Sequence, residues 1–180
     1  DEFEFAAESI EVEKMILMHF RGYKIIEDKE LAFIRKPDQE RPVVSGISGY
    51  DFLEINEECL QNNYQNKDYI VTRIIEAWGT IEKYLNYGIG FIAVEGDRIA
   101  GMILGTANYE NILPIDIETL KDHRKKGIAT ELTRRFLAYC YDNKLTAYWN
   151  CIISNAESRN IAEKAGFQFI GSKDYYYFNI

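Results

Sequence analysis

The chain has 180 residues, of which 47% are hydrophobic and 28% are charged, and its formal net charge at pH 7 is −8. These values predict about one folded domain, exclude intrinsic disorder, and disfavour nucleic acid and anionic membranes as partners. The three cysteines form no C-x-x-C pair, which disfavours a zinc site or a disulfide framework and indicates a reducing, cytoplasmic location. No apolar stretch reaches the roughly 20 residues of a membrane span, and no secretory signal is visible.

The first third of the chain predicts one helix and two short strands. Residues 4–20 have the apolar spacing of a helix, whereas residues 23–28 and 31–36 have the composition of strands. Residues 43–66 carry turn signals and predict no definite element.

The pattern is sharper from residue 67 onward. Apolar residues at three- and four-residue steps predict one amphipathic helix, with the stripe Ile70, Val71, Ile74, Ile75, Trp78, Ile81 and Leu85. Two apolar strands follow, joined by a tight turn at Glu95-Gly96-Asp97. The next strand, residues 112–120, leads into a basic loop.

The last part of the chain predicts a helix over residues 127–141 and a strand over residues 146–153. Residues 154–157 have the S-x-x-E form of a capping box and open a short helix, and two strands follow over residues 167–172 and 175–179. This order of elements indicates an α/β domain built on a mixed sheet.

The basic loop before the helix that starts at Gly127 is the most informative segment. It contains one histidine and four cationic residues, namely Lys121, His123, Arg124, Lys125 and Lys126. A helix N-terminus offers free N–H groups and a positive partial charge, and glycine lets the backbone approach a ligand, so the pattern favours phosphate binding. The alternative, a solvated basic helix start, is left open. His123 is expected to lie in solvent rather than on a phosphate. The larger phosphate motifs G-x-x-x-x-G-K-[ST] and G-x-G-x-x-G do not occur in the sequence.

Two motifs resemble those of the GNAT superfamily of acetyl-CoA-dependent N-acetyltransferases. Residues 124–129 match the family's R/Q-x-x-G-x-G/A signature, and residues 155–167 resemble its N-x-x-S/A-x-x-L-x-E-K-x-G-F segment. The stretch YLNYGIGFIAV, together with IDIET and AEKAGF, is similar to the branch associated with resistance to zwittermicin A. The resemblance covers about residues 67–180.

The resemblance implies a mixed, mostly antiparallel central sheet that is flanked by helices and splayed in the middle to hold acetyl-CoA. It implies that a bulged strand meets the pantetheine arm through Ile117, Glu118 and Thr119, and that Asn155 holds the arm from the other side. Asn155 is equally well interpreted as a helix cap. The loop residues implied to cradle the CoA pyrophosphate are Arg124, Lys125, Lys126, Gly127, Ile128, Ala129 and Thr130. No metal is expected.

The chemistry implied is direct attack of an amine on the acetyl thioester in a ternary complex, with a carboxylate as general base. Asp116 and Glu118 alternate with isoleucines and are expected on one face of their strand. Glu118, the closer of the two to the basic loop, is the preferred base; the alternative is a structural role or an ion pair with Lys121. Ala162 stands where many family members have a tyrosine that protonates the leaving thiolate.

We therefore expect acetyl transfer from acetyl-CoA to a primary amine of a small cationic molecule. The alternatives are a non-catalytic acyl-CoA-binding module and a peptide or protein N-acetyltransferase. Residues 67–180 are expected to form the acetyltransferase domain, and residues 1–66 an accessory region on the acceptor side. The expected partner is a small-molecule amine, without nucleic acid or membrane, and a homodimer is left open.

Overall fold

The computed structural model describes residues 2–7 and 9–179. Contacts divide the chain into two compact units: one contains the residues up to Phe33 and those from Asn150 onward, and the other contains Ile34–Trp149. The predicted fold class, a mixed and mostly antiparallel sheet with flanking helices, is confirmed. None of the described helices is both long enough and apolar enough to cross a membrane.

The first unit contains strand β1 (Glu2–Phe5), helix α1 (Ile10–His19), most of strand β2 (Ile26–Arg35), helix α6 (Ala156–Lys164) and strand β8 (Gln168–Asn179). Strand β8 lies between β1 and β2, and β1 pairs with β8 in antiparallel register from Glu2↔Asn179 to Phe5↔Tyr176. Because Phe3 and Phe5 alternate on β1 and their rings contact Phe178 and Tyr176 of β8, this segment is a strand rather than the predicted helix start.

The second unit is built from the remaining elements. They are the strands β3 (Asp51–Glu54), β4 (Gly90–Glu95), β5 (Arg98–Gly105), β6 (Ile112–Thr119) and most of β7 (Thr146–Ile152), and the helices α2 (Glu57–Gln61), α3 (Lys67–Trp78), α4 (Ile81–Tyr87) and α5 (Ile128–Asp142). The strand order is β7-β6-β5-β4-β3, with β6 and β7 parallel and the other neighbours antiparallel. The predicted turn at Gly96 joins β4 to β5, and Gly96 has a positive φ of 64°.

Two predicted boundaries differ from the structure. The amphipathic stripe from Ile70 to Leu85 is divided between α3 and α4, because Gly79 has φ 77° and Thr80 caps the second helix by accepting from the Lys83 amide at 3.2 Å. The two strands predicted after α6 form one continuous strand, β8. The two strands predicted before residue 37 likewise form one strand, β2.

Strand β6 pairs with β7 at its amino-terminal end, within the second unit. The two strands pair only from Ile112↔Thr146 to Pro114↔Tyr148, whereas β6 stays paired with β5 from Ile115 to Thr119. The register of β6 with β5 runs without a shift, so the expected bulge in β6 is wrong; the irregularity falls between Ala93 and Val94 of β4. In the carboxyl-terminal half of β6, one edge is thus paired with β5, while the other edge no longer pairs with β7.

Candidate active site

Helix α3 packs its polar face against the carboxylates of β6. The Tyr69 hydroxyl donates a hydrogen bond to Glu118 Oε2. Four residues along the same helix, Arg73 donates from Nε and Nη2 to Asp116 Oδ2, at 2.9 and 2.6 Å. Asp116 and Glu118 therefore lie on one face of β6, as their alternation predicted. Neither Tyr69 nor Arg73 was predicted as a site residue.

Burial and charge set the ionisation states of the α3 side chains. Burial raises the pKa of Tyr69 well above its usual range, and the hydrogen bond and charge of Glu118 raise it further. Burial lowers the pKa of Arg73, but the charge of Asp116 and its hydrogen bond outweigh that effect and raise it overall. Tyr69 is therefore a neutral donor and Arg73 a cation at any ordinary pH.

The two ends of α3 are fixed to strand β5. At the start of the helix, Asn66 Nδ2 donates to the Ile99 carbonyl at 3.2 Å, and at its end Trp78 Nε1 donates to the Gly105 carbonyl at 2.8 Å. Between them, Ile70 and Ile74 are buried in the core of this unit. Because both ends are held and the apolar face is buried, the position of Tyr69 relative to β6 is defined by the fold.

The basic loop forms a short 3-10 turn, Lys121–His123, and then enters α5 through two left-handed residues, Lys125 (φ 61°) and Gly127 (φ 85°). In the described part of the chain, no acceptor takes the amide hydrogens of residues 125–130, and no side chain caps the helix at Gly127. Free amides at a helix start make an anion site. A Cβ at Gly127 would meet only Ile47 Cδ1, at 3.6 Å, so the approach to these amides is open.

Residues 45–50 line one side of this loop. The Tyr50 hydroxyl is 3.0 Å from His123 Nδ1 and accepts from Lys126 Nζ at 2.9 Å. The expectation that His123 is solvated is wrong, because its side chain is 3% exposed. All four cations of the loop, Lys121, Arg124, Lys125 and Lys126, are exposed to solvent. Arg124 also donates to the Thr119 carbonyl at 3.0 Å.

A buried carboxylate fastens residues 45–50 to α5. Glu131 is 1% exposed and accepts from the amide and the hydroxyl of Ser45, at 2.9 and 3.0 Å. Arg134 and Arg135 lie 3.6 and 3.4 Å from the same carboxylate, and Arg135 also covers the Phe52 ring. Arg134 also donates to the Ser45 hydroxyl at 3.4 Å and Arg135 to the Ser45 carbonyl at 3.1 Å, so both arginines hold the loop. The sequence did not predict these contacts because Ser45 is 89 and 90 positions away from the two arginines.

In the other unit, Asn155 caps helix α6 by accepting from the Ser158 amide at 3.1 Å. This contact supports the helix-cap interpretation, and the contact of Asn155 with pantetheine stays a prediction. Ala162 is fully buried on the same helix. Among the described residues, no three or more His, Cys, Asp or Glu side chains are grouped as a metal site would need.

A model of the GNAT acetyltransferase family matches residues 6–176. The chain belongs to the GNAT acetyltransferase family. This match reaches beyond the residues 67–180 that carry the motif resemblance, and the division of the chain at residue 66 stays a prediction. The family uses acetyl-CoA, and the open amides before α5 fit an anionic ligand of that kind.

Similar proteins agree with this family. The uncharacterized N-acetyltransferase YdfB of Bacillus subtilis is 29% identical over 150 residues, which are 83% of this chain and 56% of that protein. The chain thus spans little more than half the length of this relative. A GCN5-related N-acetyltransferase-like protein from Streptococcus suis has the same fold, with a TM-score of 0.78 at 17% identity over 98% of this chain and 71% of the other. A tandem GNAT protein from the clavulanic acid biosynthesis pathway has a TM-score of 0.58 at 11% identity over 98% of this chain and 62% of the other.

Proposed function

We propose that this chain transfers an acetyl group from acetyl-CoA to a primary amine. The observation that carries the proposal is that one compact unit contains both a helix start with free backbone amides and a strand whose carboxylate faces α3. The residues proposed to hold the pyrophosphate are Arg124–Thr130, whose amides from Lys125 onward are open to a ligand. The residues proposed to lie along the pantetheine arm are Ile117, Glu118 and Thr119, where β6 has left its pairing with β7.

Glu118 is the proposed general base. Its Oε2 accepts from Tyr69, while no other hydrogen bond or ion pair of this side chain occurs in the described part of the chain. The other carboxylate of the predicted pair, Asp116, is tied to Arg73, which also contacts Glu76 Oε2 at 3.2 Å. Because Asp116 Oδ2 already accepts two hydrogen bonds from Arg73, we assign Asp116 to the support of the site rather than to proton transfer.

The chain's residues supply positioning and proton transfer. With the acceptor and the thioester side by side, most of the rate arises from orientation of the reacting groups. The amine nitrogen bonds to the acetyl carbon, the carbon–sulfur bond breaks, and the amine proton passes to Glu118. Backbone N–H groups of the open edge of β6 are proposed to polarise the thioester carbonyl. The CoA thiolate is a fairly good leaving group, with a thiol pKa near the ~8.5 of cysteine, so the absence of a tyrosine at Ala162 does not preclude turnover.

We infer the acceptor class from charge. The chain has a net charge of −8, and Glu118 faces the site without a cationic partner among the described residues, so a cationic amine is steered toward it. The similarity to the zwittermicin A resistance branch points in the same direction, toward a small polyamine-like acceptor. A peptide or protein amine differs only in the acceptor.

A second candidate is a non-catalytic acyl-CoA-binding module. The observation in its favour is Ala162, which is fully buried at the position where many family members have the tyrosine that acts as general acid. The two candidates predict the same binding of acetyl-CoA and differ only in turnover.

The experiment is a thiol-release assay with acetyl-CoA and three primary amines, namely spermidine, kanamycin and a lysine-containing peptide. Mass spectrometry of each mixture identifies the acetylated product. Release of CoA that depends on one of the amines supports the transferase, and faster release with spermidine or kanamycin than with the peptide supports the small cationic acceptor. Binding of acetyl-CoA without release with any amine would favour the acyl-CoA-binding module.

A further inference from the structure

The contact between Tyr69 and Glu118 has a consequence for the site itself. Glu118 has a long side chain with several rotamers, and a base that samples several rotamers reacts slowly because it is seldom aligned with its proton. The Tyr69 hydroxyl fixes Oε2 of this carboxylate. Oε1, the other oxygen, has no partner in the part of the chain that the structure describes.

We propose that Tyr69 is the positioning residue of this site: it holds Glu118 by one oxygen and leaves the other to receive the proton of the acceptor amine. The inference rests on the proposed function. Tyr69 acts through Glu118 and exchanges no proton with substrate. The transferred proton moves from the amine nitrogen to Oε1 as the carbon–nitrogen bond forms and the carbon–sulfur bond breaks.

The helix that carries Tyr69 is suited to this role because it cannot shift easily. Asn66 and Trp78 join its two ends to carbonyls of β5, and Arg73 joins its middle to Asp116 of β6. Strand β5 is in turn paired with β6 along residues 101–105. The donor and the carboxylate therefore belong to one hydrogen-bonded framework, and the distance between them does not depend on a flexible loop.

The phenol also remains a donor over the range of pH in which an amine can react. Burial and the negative charge of Glu118 both raise the pKa of Tyr69, so the hydroxyl stays protonated when the acceptor is deprotonated at alkaline pH. We therefore do not expect Tyr69 to ionise and lose its contact with Glu118 at any pH at which the protein stays folded.

The test is a double-mutant cycle of Tyr69→Phe and Glu118→Gln, assayed with acetyl-CoA and the fastest of the three amines. Tyr69→Phe removes only the hydroxyl. It is expected to lower kcat on the order of 10- to 100-fold, as a misplaced catalytic group does. The Kd of acetyl-CoA, measured by calorimetry, is expected to stay unchanged. In the Glu118→Gln background the same substitution is expected to have no further effect, because Tyr69 acts only through Glu118.

The matched control is Tyr109→Phe, a tyrosine that is 69% exposed in the same unit. A readout independent of turnover is carbon-13 NMR of the protein with labelled tyrosine. The ring resonance that disappears in Tyr69→Phe is expected to shift in Glu118→Gln and to stay in place in Glu110→Gln, an exposed residue away from the site.

Three results would overturn the inference alone. They are full turnover in Tyr69→Phe, an equal loss from Tyr69→Phe with and without Glu118, and an unchanged Tyr69 resonance in Glu118→Gln. Full turnover in Glu118→Gln would instead remove the assignment of the base, and with it both the proposed mechanism and the role of Tyr69.

Discussion

Tyr69 and Glu118 are 49 positions apart in the sequence and share a hydrogen bond. One turn further along α3, Arg73 makes the matching contact with Asp116. Four residues of a helix rise about 6 Å and two residues of a strand about 6.7 Å, so a helix and a strand that run side by side bring both pairs together. As a result, the two carboxylates of β6 have different partners. Asp116 is paired with the charged Arg73, whereas Glu118 accepts from the uncharged Tyr69 hydroxyl.

Glu118→Gln is expected to lower kcat by about 10²- to 10⁴-fold, the usual contribution of a general base. The Kd of acetyl-CoA should not change, because the amide has the same shape as the carboxylate. Asp116→Asn is the matched substitution two residues earlier. It breaks the ion pair with Arg73 and is expected to lower the unfolding free energy by about 1 kcal/mol with a much smaller effect on kcat. Equal losses of kcat in the two variants would contradict the assignment of Glu118.

Asn155→Ala separates the two interpretations of this residue. Because Asn155 caps α6, its replacement by alanine is expected to lower the unfolding free energy, measured by urea denaturation, by about 1 kcal/mol. Calorimetry with acetyl-CoA then decides its second role. Asn155→Ser keeps a capping group and is the control, so a loss of affinity shared by both variants supports contact with pantetheine, whereas unchanged affinity in both indicates a cap alone.

Glu131 and Ser45 are expected to stabilise the loop beside the anion site. Ser45→Ala removes a hydrogen bond to a buried carboxylate and should lower the unfolding free energy by about 1 kcal/mol. Glu131→Ala removes both bonds to Ser45 and should cost about 3 kcal/mol. Ser48→Ala, an exposed serine of the same loop, provides the control. A change in Ser48→Ala as large as in Ser45→Ala would refute the contact.

Stability is expected to fall above pH 9. Burial raises the pKa of the Cys140 thiol from 9.0 to about 12, although nearby Arg35 opposes the shift. The folded state keeps the thiol neutral, so its contribution is complete below pH 9.0 and is lost progressively as the pH rises toward about 12. In Cys140→Ala, urea denaturation should show a shallower decline of stability over this range. An unchanged slope of stability against pH would contradict the raised pKa of Cys140. Buried tyrosines such as Tyr84 also lose stability at high pH, but they do so equally in the wild type and in Cys140→Ala.

The sequence predicted most of the second unit because its signals are local. The stripe of α3, the turn at Gly96 and the basic loop before Gly127 are each readable within a few residues. The break between α3 and α4 was readable too, since Gly79-Thr80 has the composition of a helix end followed by a cap. The apolar stripe that continues across this break concealed it.

Other features could not be read locally. Phe3 and Phe5 form a strand only because Phe178 and Tyr176 of β8 lie beside them, more than 170 positions away. Tyr69, Arg73 and Glu131 look like ordinary polar residues of amphipathic helices, and only tertiary packing shows that they contact carboxylates or the loop of Ser45. The sequence predicted that Asp116 and Glu118 share a face of β6. It did not predict that they have different partners, because both partners lie on α3.

The most direct test of the proposed cofactor site is calorimetry of acetyl-CoA with the wild type, Gly127→Asn and Gly127→Asp. Asn and Asp both tolerate the left-handed backbone of Gly127 and have nearly the same shape, so the two variants differ mainly in one negative charge. We predict micromolar binding to the wild type, weaker binding to Gly127→Asn, and no measurable binding to Gly127→Asp. Equal affinity of the Asn and Asp variants, or no binding of millimolar acetyl-CoA to the wild type, would contradict an anion site at the start of α5.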